Sequence, residues 1–222
     1  MDRLFRIARR LAGALLFRVK PGPPCRRLGS DYGGWWVPLD LLNEESICYL
    51  AGVGEDITFD LALLEAVGCE AWSFDPTPRA RAHVEAAATP PGYHFQPVGV
   101  WDEATTLRFY APRNPDHVSH SVVNLQGTDE FFEAEVLPIP RIMAANEHDR
   151  IDLLKLDIEG AEHVVVRSLL DSGVHPRVFA LEFDQPMPIR KVGSTIRLLK
   201  ANGYRLIHRE SWNYTFVLGG IG

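Results

Sequence analysis

Two groups of residues in this 222-residue chain have the types and spacing to do chemistry. One is a turn of glycines and acids, Gly52-Val53-Gly54-Glu55-Asp56, followed by a further acid at Asp75. The other is a pair of acids, Asp157 and Glu159, inside the run LLKLDIEGAE. Glycines one residue apart let the backbone turn tightly and leave room for a ligand against the main chain. An acid about 20 residues further on is where a nucleotide-binding βαβ unit accepts hydrogen bonds from ribose hydroxyls. A dinucleotide fingerprint wants a third glycine, and Ile57 stands in its place, so no close pyrophosphate cradle is encoded. Glu55 and Asp56 would repel a pyrophosphate and tolerate a sulfonium cation. The turn therefore favours S-adenosylmethionine over NAD. Asp157 and Glu159 lie two apart, so at a strand tip they point the same way. An acid that ends an apolar strand loses hydration unless it has a partner, and perturbed carboxylates gather at functional sites. Glu162 reads more simply, as an acid in the first turn of a helix.

The elements that must position these residues follow from periodicity. Ile47–Ala51 is a short apolar run, as in a strand buried on both faces. Asp56 suits the N-cap of a helix carrying Ile57, Leu61, Leu64 and Val67 on one side, and Gly68 suits its stop. A second strand, Ala71–Phe74, ends at Asp75, and Pro76 prevents further regular pairing. An alanine-rich helix over Arg79–Ala88 precedes a third strand, Tyr93–Trp101, whose carboxyl end would bring Gly99 and Val100 beside a bound base. Asp102 either hydrogen-bonds that base or starts the next turn. Ile151–Ile158 is a buried strand, Gly160 permits the sharp change of direction, and Ala161–Leu170 is a helix. His175–Phe183 is a further strand, ending in Glu182 and Asp184. A helix over Ser194–Ala201, capped by Ser194 or Thr195, leads to Tyr204–His208 and Asn213–Leu218, an antiparallel hairpin expected at the sheet edge. The count is seven main strands in one α/β domain over residues 28–222.

Between the third strand and Ile151 the chain makes a long excursion, 102–148, of the kind that often carries substrate recognition. It holds strands at Thr105–Tyr110 and Val122–Leu125, an extended piece at Phe131–Pro140 and a short helix at Arg141–His148. His117 and His120 lie in it without a third ligand nearby, so no metal is expected. Ahead of the first strand, LGSDYGGWWVPLDLL (28–42) places Tyr32, Trp35 and Trp36 either as a wall over a cofactor or as closure of the core.

The formal charge of −6 is unevenly spread, +7 over residues 1–27 and −13 over the rest. An acidic body argues against nucleic acid as a partner. Residues 2–18 form a basic amphipathic stretch that could contact an anionic membrane surface, pack as a helix on the domain or stay a loose extension, and 21–24 read as a linker. No apolar run is long enough for a membrane span, and no signal-peptide pattern is present. Three scattered cysteines, Cys25, Cys48 and Cys69, suggest a reducing, cytoplasmic compartment.

Taken together, YLAGVGEDITFD (49–60), SFDPTP (73–78), PVGVWDEATTLRFY (97–110) and above all LLKLDIEGAEHVVVRSLL (153–170) resemble the FkbM family of S-adenosylmethionine-dependent methyltransferases. With LGSDYGGW (28–35), the resemblance spans most of residues 28–218. It implies a class I methyltransferase (Rossmann-like) fold, a doubly wound seven-stranded sheet with an antiparallel last strand. It also implies O-methylation of a hydroxyl on a small molecule or glycan. By position, Gly52 and Gly54 would form the cofactor loop with Glu55 and Asp56, Asp75 would bind the ribose, and Gly99 and Val100 would lie by the adenine. Asp157 would stand at the methyl-transfer end, with Asp157 or Glu159 as the base that takes the hydroxyl proton. Two departures mark a subgroup with a G-x-G-E-D turn: Leu50 stands where much of the family has an acid, and Asp56 where it has a third glycine. Asp56 then becomes a candidate contact to the methionine amino group. Two other readings compete, a non-catalytic module that binds the same cofactor and a NAD-dependent oxidoreductase.

Overall fold

The computed structural model describes residues 17–111, 122, 127–183 and 189–219. Most of the basic segment 2–18, His117, His120, nearly all of the strand expected at Val122–Leu125, and Asp184 lie outside the described residues.

Seven strands form the main sheet: β3 (Ile47–Ala51), β4 (Glu70–Phe74), β5 (Tyr93–Gln96), β9 (Leu153–Leu156), β10 (Val178–Glu182), β11 (Tyr204–Glu210) and β12 (Asn213–Leu218). Their order is β11-β12-β10-β9-β3-β4-β5. β3 pairs in parallel with β4 and β9, β9 with β10, and β4 with β5, while β12 runs antiparallel to both its neighbours. This is the class I methyltransferase arrangement with its reversed last strand. That strand lies inside the sheet rather than at the edge, and β11 takes the edge.

Alternation along the strands divides the core between two faces. Leu154, Leu156, Phe179 and Leu181 face α3 (Ile139–Ala145), α4 (Glu162–Asp171) and α5 (Ile189–Ala201), which contribute Ile142, Val166 and Ile196. Cys48, Leu50 and Ala71 face α1 (Thr58–Val67), α2 (Pro78–Ala86) and the ribbon of β1 (Arg26–Leu28) and β2 (Trp35–Val37). Phe59, Leu63, Val84 and Trp35 fill that side. Every parallel strand delivers its carboxyl end to the same edge, which brings Gly52, Asp75, Asp157 and Glu182 together.

Several elements depart from the sequence expectation for local physical reasons. The third strand breaks at Pro97, which has no N–H for the ladder. β5 stops at Gln96, and Gly99–Val100 becomes β6, which joins β7 (Thr105–Tyr110) and β8 (Phe131–Leu137) in a separate sheet ordered β6-β8-β7. The fourth core strand is shorter than Ile151–Ile158, because the chain turns away at Asp157. α1 starts at Thr58 with Ile57 as its cap residue; Asp56 precedes the cap and accepts from the Thr58 N–H and hydroxyl. The last helix begins at Ile189, five residues before Ser194, so neither Ser194 nor Thr195 caps it.

Candidate active site

The glycine turn is met by buried side chains on both sides. Gly52 has φ 86° and Gly54 φ 56°, conformations that glycine adopts freely. A Cβ on Gly52 would lie 1.8 Å from the Asp157 carbonyl oxygen, so the two strand tips can touch only because this residue is glycine. The Asp75 carboxylate, 6% exposed, accepts from Val53 N at 3.0 Å and Gly54 N at 2.9 Å through Oδ2. Its Oδ1 accepts from Thr77 N at 2.8 Å and the Thr77 hydroxyl at 2.6 Å. Thr77 in turn caps α2 by accepting from Ala80 N. From the other side, Lys155 Nζ donates to the Gly52 carbonyl at 2.6 Å.

Asp56 fastens the turn to the segment ahead of the sheet. Its Oδ2 accepts from the Ser30 hydroxyl at 2.5 Å and its Oδ1 from the Thr58 hydroxyl at 2.6 Å. Burial alone would raise its pKa, but the hydrogen bonds from Ser30, Thr58 and Gly33 outweigh it and hold the carboxyl below its ordinary value. Glu55 stays at the rim, paired with Arg79 at 2.9 Å.

Asp157 has the partner its position requires. Lys155 lies on the same side of β9, two residues earlier, with Nζ 3.5 Å from Asp157 Oδ2 and 5.4 Å from the centroid of the Trp35 ring. Glu159 reaches the same edge by a different route from the one expected. The strand has ended, and Glu159 sits at φ 54°, a left-handed conformation that costs a non-glycine residue about 1 kcal/mol or more. Buried Glu162 closes this turn by accepting from Ile158 N at 2.8 Å and Gly160 N at 3.1 Å. That is a more specific task than complementing the helix dipole.

These parts surround a cavity of about 390 Å³. Gly52, Gly54, Glu55, Asp56, Asp75, Gly99, Val100, Asp157 and Glu159 all line it, so every expected site residue is brought to one place. Val100, Phe109 and Pro76 give it an apolar wall. Tyr32 and Trp35 line it as the wall reading requires, and Trp35 also belongs to the core; Trp36 instead stacks on His208 and donates to Glu210. Asp102 lies elsewhere, in the turn after β6, where its carbonyl accepts from Ser168. Sequence reasoning missed Lys155, Glu182 and Asn213 as site residues. A lone lysine in an apolar run was a signal for the first; Glu182 arrives at the carboxyl end of parallel β10, and Asn213 only through the pairing of β12 with β10.

Among the described lining residues there are six carboxylates and one cation, Lys155. Tyr32 stands over the mouth, 85% exposed. Loss of water around its hydroxyl, then the charges of Asp157, Glu159, Glu182 and Asp56, push its pKa above the ordinary value. Among the described residues, no group of three or more His, Cys, Asp or Glu is placed to hold a metal. No helix among them is long and apolar enough to cross a membrane.

The family model described as Methyltransferase FkbM domain matches residues 17–206. This chain belongs to the FkbM methyltransferase family. No curated protein matches the FkbM chain. Among solved structures, it is similar to a Methanococcus jannaschii fibrillarin pre-rRNA processing protein, at 12% identity and a TM-score of 0.48, covering 95% of this chain and 75% of that one. It is also similar to monomeric WbdD, at 16% identity and a TM-score of 0.44, covering 78% of this chain and 36% of that one.

The cavity is within the size range of small-ligand sites. The turn amides that would cradle a phosphate are already engaged by Asp75. The surplus of carboxylates favours a cation and opposes a pyrophosphate.

Proposed function

We propose that this protein is an S-adenosylmethionine-dependent O-methyltransferase acting on a hydroxyl of a small molecule or glycan. One observation carries the choice of cofactor: the Val53 and Gly54 N–H groups, the natural anion site of a glycine turn, are taken by the protein's own carboxylate. That arrangement supports a ligand without phosphates and opposes a nicotinamide dinucleotide. Gly52, Gly54, Glu55, Asp56 and Asp75 build the turn side of the cofactor site, and Gly99 and Val100 its base side. Bound there, S-adenosylmethionine supplies an activated methyl group. Asp157 and Glu159 then face the acceptor, and either carboxylate can take the hydroxyl proton. Lys155 pairs with Asp157 and fixes it in place before the acceptor arrives. Buried Trp35 excludes water from its side of the cavity. The acidic body supports an acceptor other than nucleic acid. Cysteine usage supports a cytoplasmic location.

Calorimetric titration of S-adenosylhomocysteine and, separately, NADH into the purified protein tests the reading. The expected result is micromolar binding of the first and none of the second. Binding of NADH alone would overturn it.

A further inference from the structure

Phe17 ties the chain to the edge of the sheet where the cavity opens. Its ring is buried against Tyr214, with centroids 5.9 Å apart, and the Arg209 guanidinium lies 5.2 Å from each of the two centroids. Tyr214 follows Asn213, which pairs with Glu182 and lines the cavity with it. From Phe17 the chain runs away from that edge, since Lys20 N donates to the Leu206 carbonyl further back along β11. The sequence ahead of Phe17 therefore joins the domain beside the cavity. Large apolar side chains stand exposed at the same edge. Trp212, 39% exposed, precedes Asn213 in the β11–β12 turn; Tyr32, 85% exposed, lines the mouth; Ile189, 41% exposed, opens the helix that follows β10. Arg190, next to Ile189, and Arg209, in the Trp212 hairpin, are exposed cations. Ahead of Phe17, helical spacing puts Leu4, Phe5, Leu11 and Leu15 on one side and Arg3, Arg6, Arg9 and Arg10 largely elsewhere. Charge is divided in the same sense, +7 over residues 1–27 against −13 over the rest.

We propose that this edge docks on an anionic lipid bilayer: the basic segment ahead of Phe17 lies in the headgroup plane, Trp212 and Tyr32 enter it as anchors, and the cavity opens toward the surface. Each part has the chemistry for its place. A basic amphipathic segment buries its apolar side at the boundary between headgroups and acyl chains, while its arginines attract anionic headgroups. Tryptophan and tyrosine rings settle at the headgroup level, with the ring in apolar surroundings and the polar atom in water. The acidic body is repelled by the same surface, so the charge division turns the molecule with its basic edge toward the lipid. The proposal is independent of the choice of cofactor.

Sedimentation of the full chain with sucrose-loaded vesicles tests it. Vesicles of phosphatidylcholine alone are compared with vesicles of phosphatidylcholine and phosphatidylserine, at low and at raised salt. The expected result is binding to the anionic vesicles only, weakened by salt. Arg9→Glu combined with Arg10→Glu is expected to weaken that binding about tenfold or more, and Trp212→Ala about threefold or more. Equal binding to both kinds of vesicle, or a double arginine variant that binds as wild type does, would overturn the proposal. So would binding to neither, and retention on single-stranded RNA in that case would assign the arginines to nucleic acid instead. A folded Trp212→Ala variant with wild-type binding would mean that the segment binds alone and the cavity edge stays off the surface, which also overturns it. If Trp212→Ala does not fold, nuclear magnetic resonance on the wild type decides. The Trp212 indole N–H signal must broaden when the protein meets anionic nanodiscs carrying a nitroxide-labelled headgroup, and an unbroadened signal on the bound protein would refute the docking.

Discussion

Gly52 stands where two strand tips meet, and its replacement tests how tightly the site is assembled. Alanine there would drive a methyl group into the Asp157 backbone and hold an unfavourable φ of 86°. Gly52→Ala is expected to cost about 2 kcal/mol or more in stability and to abolish binding of S-adenosylhomocysteine. Chemical denaturation and calorimetry would measure the two effects, and an unperturbed variant would show that the tips can part. Asp60 carries the opposite kind of message. Burial raises its carboxyl from the ordinary 3.8 to about 6, against the charge of Lys155 and the hydrogen bond from Ser73 at 2.7 Å. Its folded pKa lies above its unfolded one, so the stability it contributes is fully present below about pH 4 and is lost as pH rises through about 6. At neutral pH the buried charge is a cost of at most about 3 kcal/mol. Asp60→Asn, which still accepts from Ser73, should therefore melt higher than wild type at about pH 7.5 and alike at about pH 4. A lower melting temperature at neutral pH would mean that attraction to Lys155 outweighs the desolvation.

At the scale of elements, β12 shows why a strand's place in the sheet matters more than its place in the chain. It lies between β10 and β11 and buries Tyr214 and Phe216 against the core. The match to the FkbM domain ends at residue 206, before this strand begins. A chain stopped at Leu206 would leave β10 as an open edge beside an uncovered apolar floor. Such a chain is expected to be insoluble on expression, and a soluble truncation with a native circular dichroism spectrum would refute that. The same elements show what was legible in the sequence. The βαβ unit and the LLKLDIEGAE run were readable because glycines, acids and apolar runs at strand ends are local signals. Local signals were overridden where distant residues competed. The Thr195 hydroxyl, a fair cap by type, instead meets His163 Nδ1 on α4 at 2.5 Å, inside a helix that starts earlier. Likewise Lys155 stands in an apolar strand, and only the approach of Gly52 and Asp157 shows what its charge is for.

Across the whole molecule, the two ends of the described chain are sewn to each other. Lys20 N donates to the Leu206 carbonyl, Trp36 Nε1 to Glu210, and the Thr215 hydroxyl to the Trp36 carbonyl. Phe17 packs on Tyr214. The cavity wall is drawn from the same two regions, Tyr32 and Trp35 from one and Asn213 from the other. A chain leaving the ribosome makes the glycine turn early and waits for more than half its length before β12 emerges. The β1–β2 ribbon has its Trp36 anchors only once that strand and its hairpin partner arrive. On the proposed reading cofactor capture waits for β12, and a ribosome-bound fragment that contains the βαβ unit but not that strand is expected to bind no S-adenosylhomocysteine.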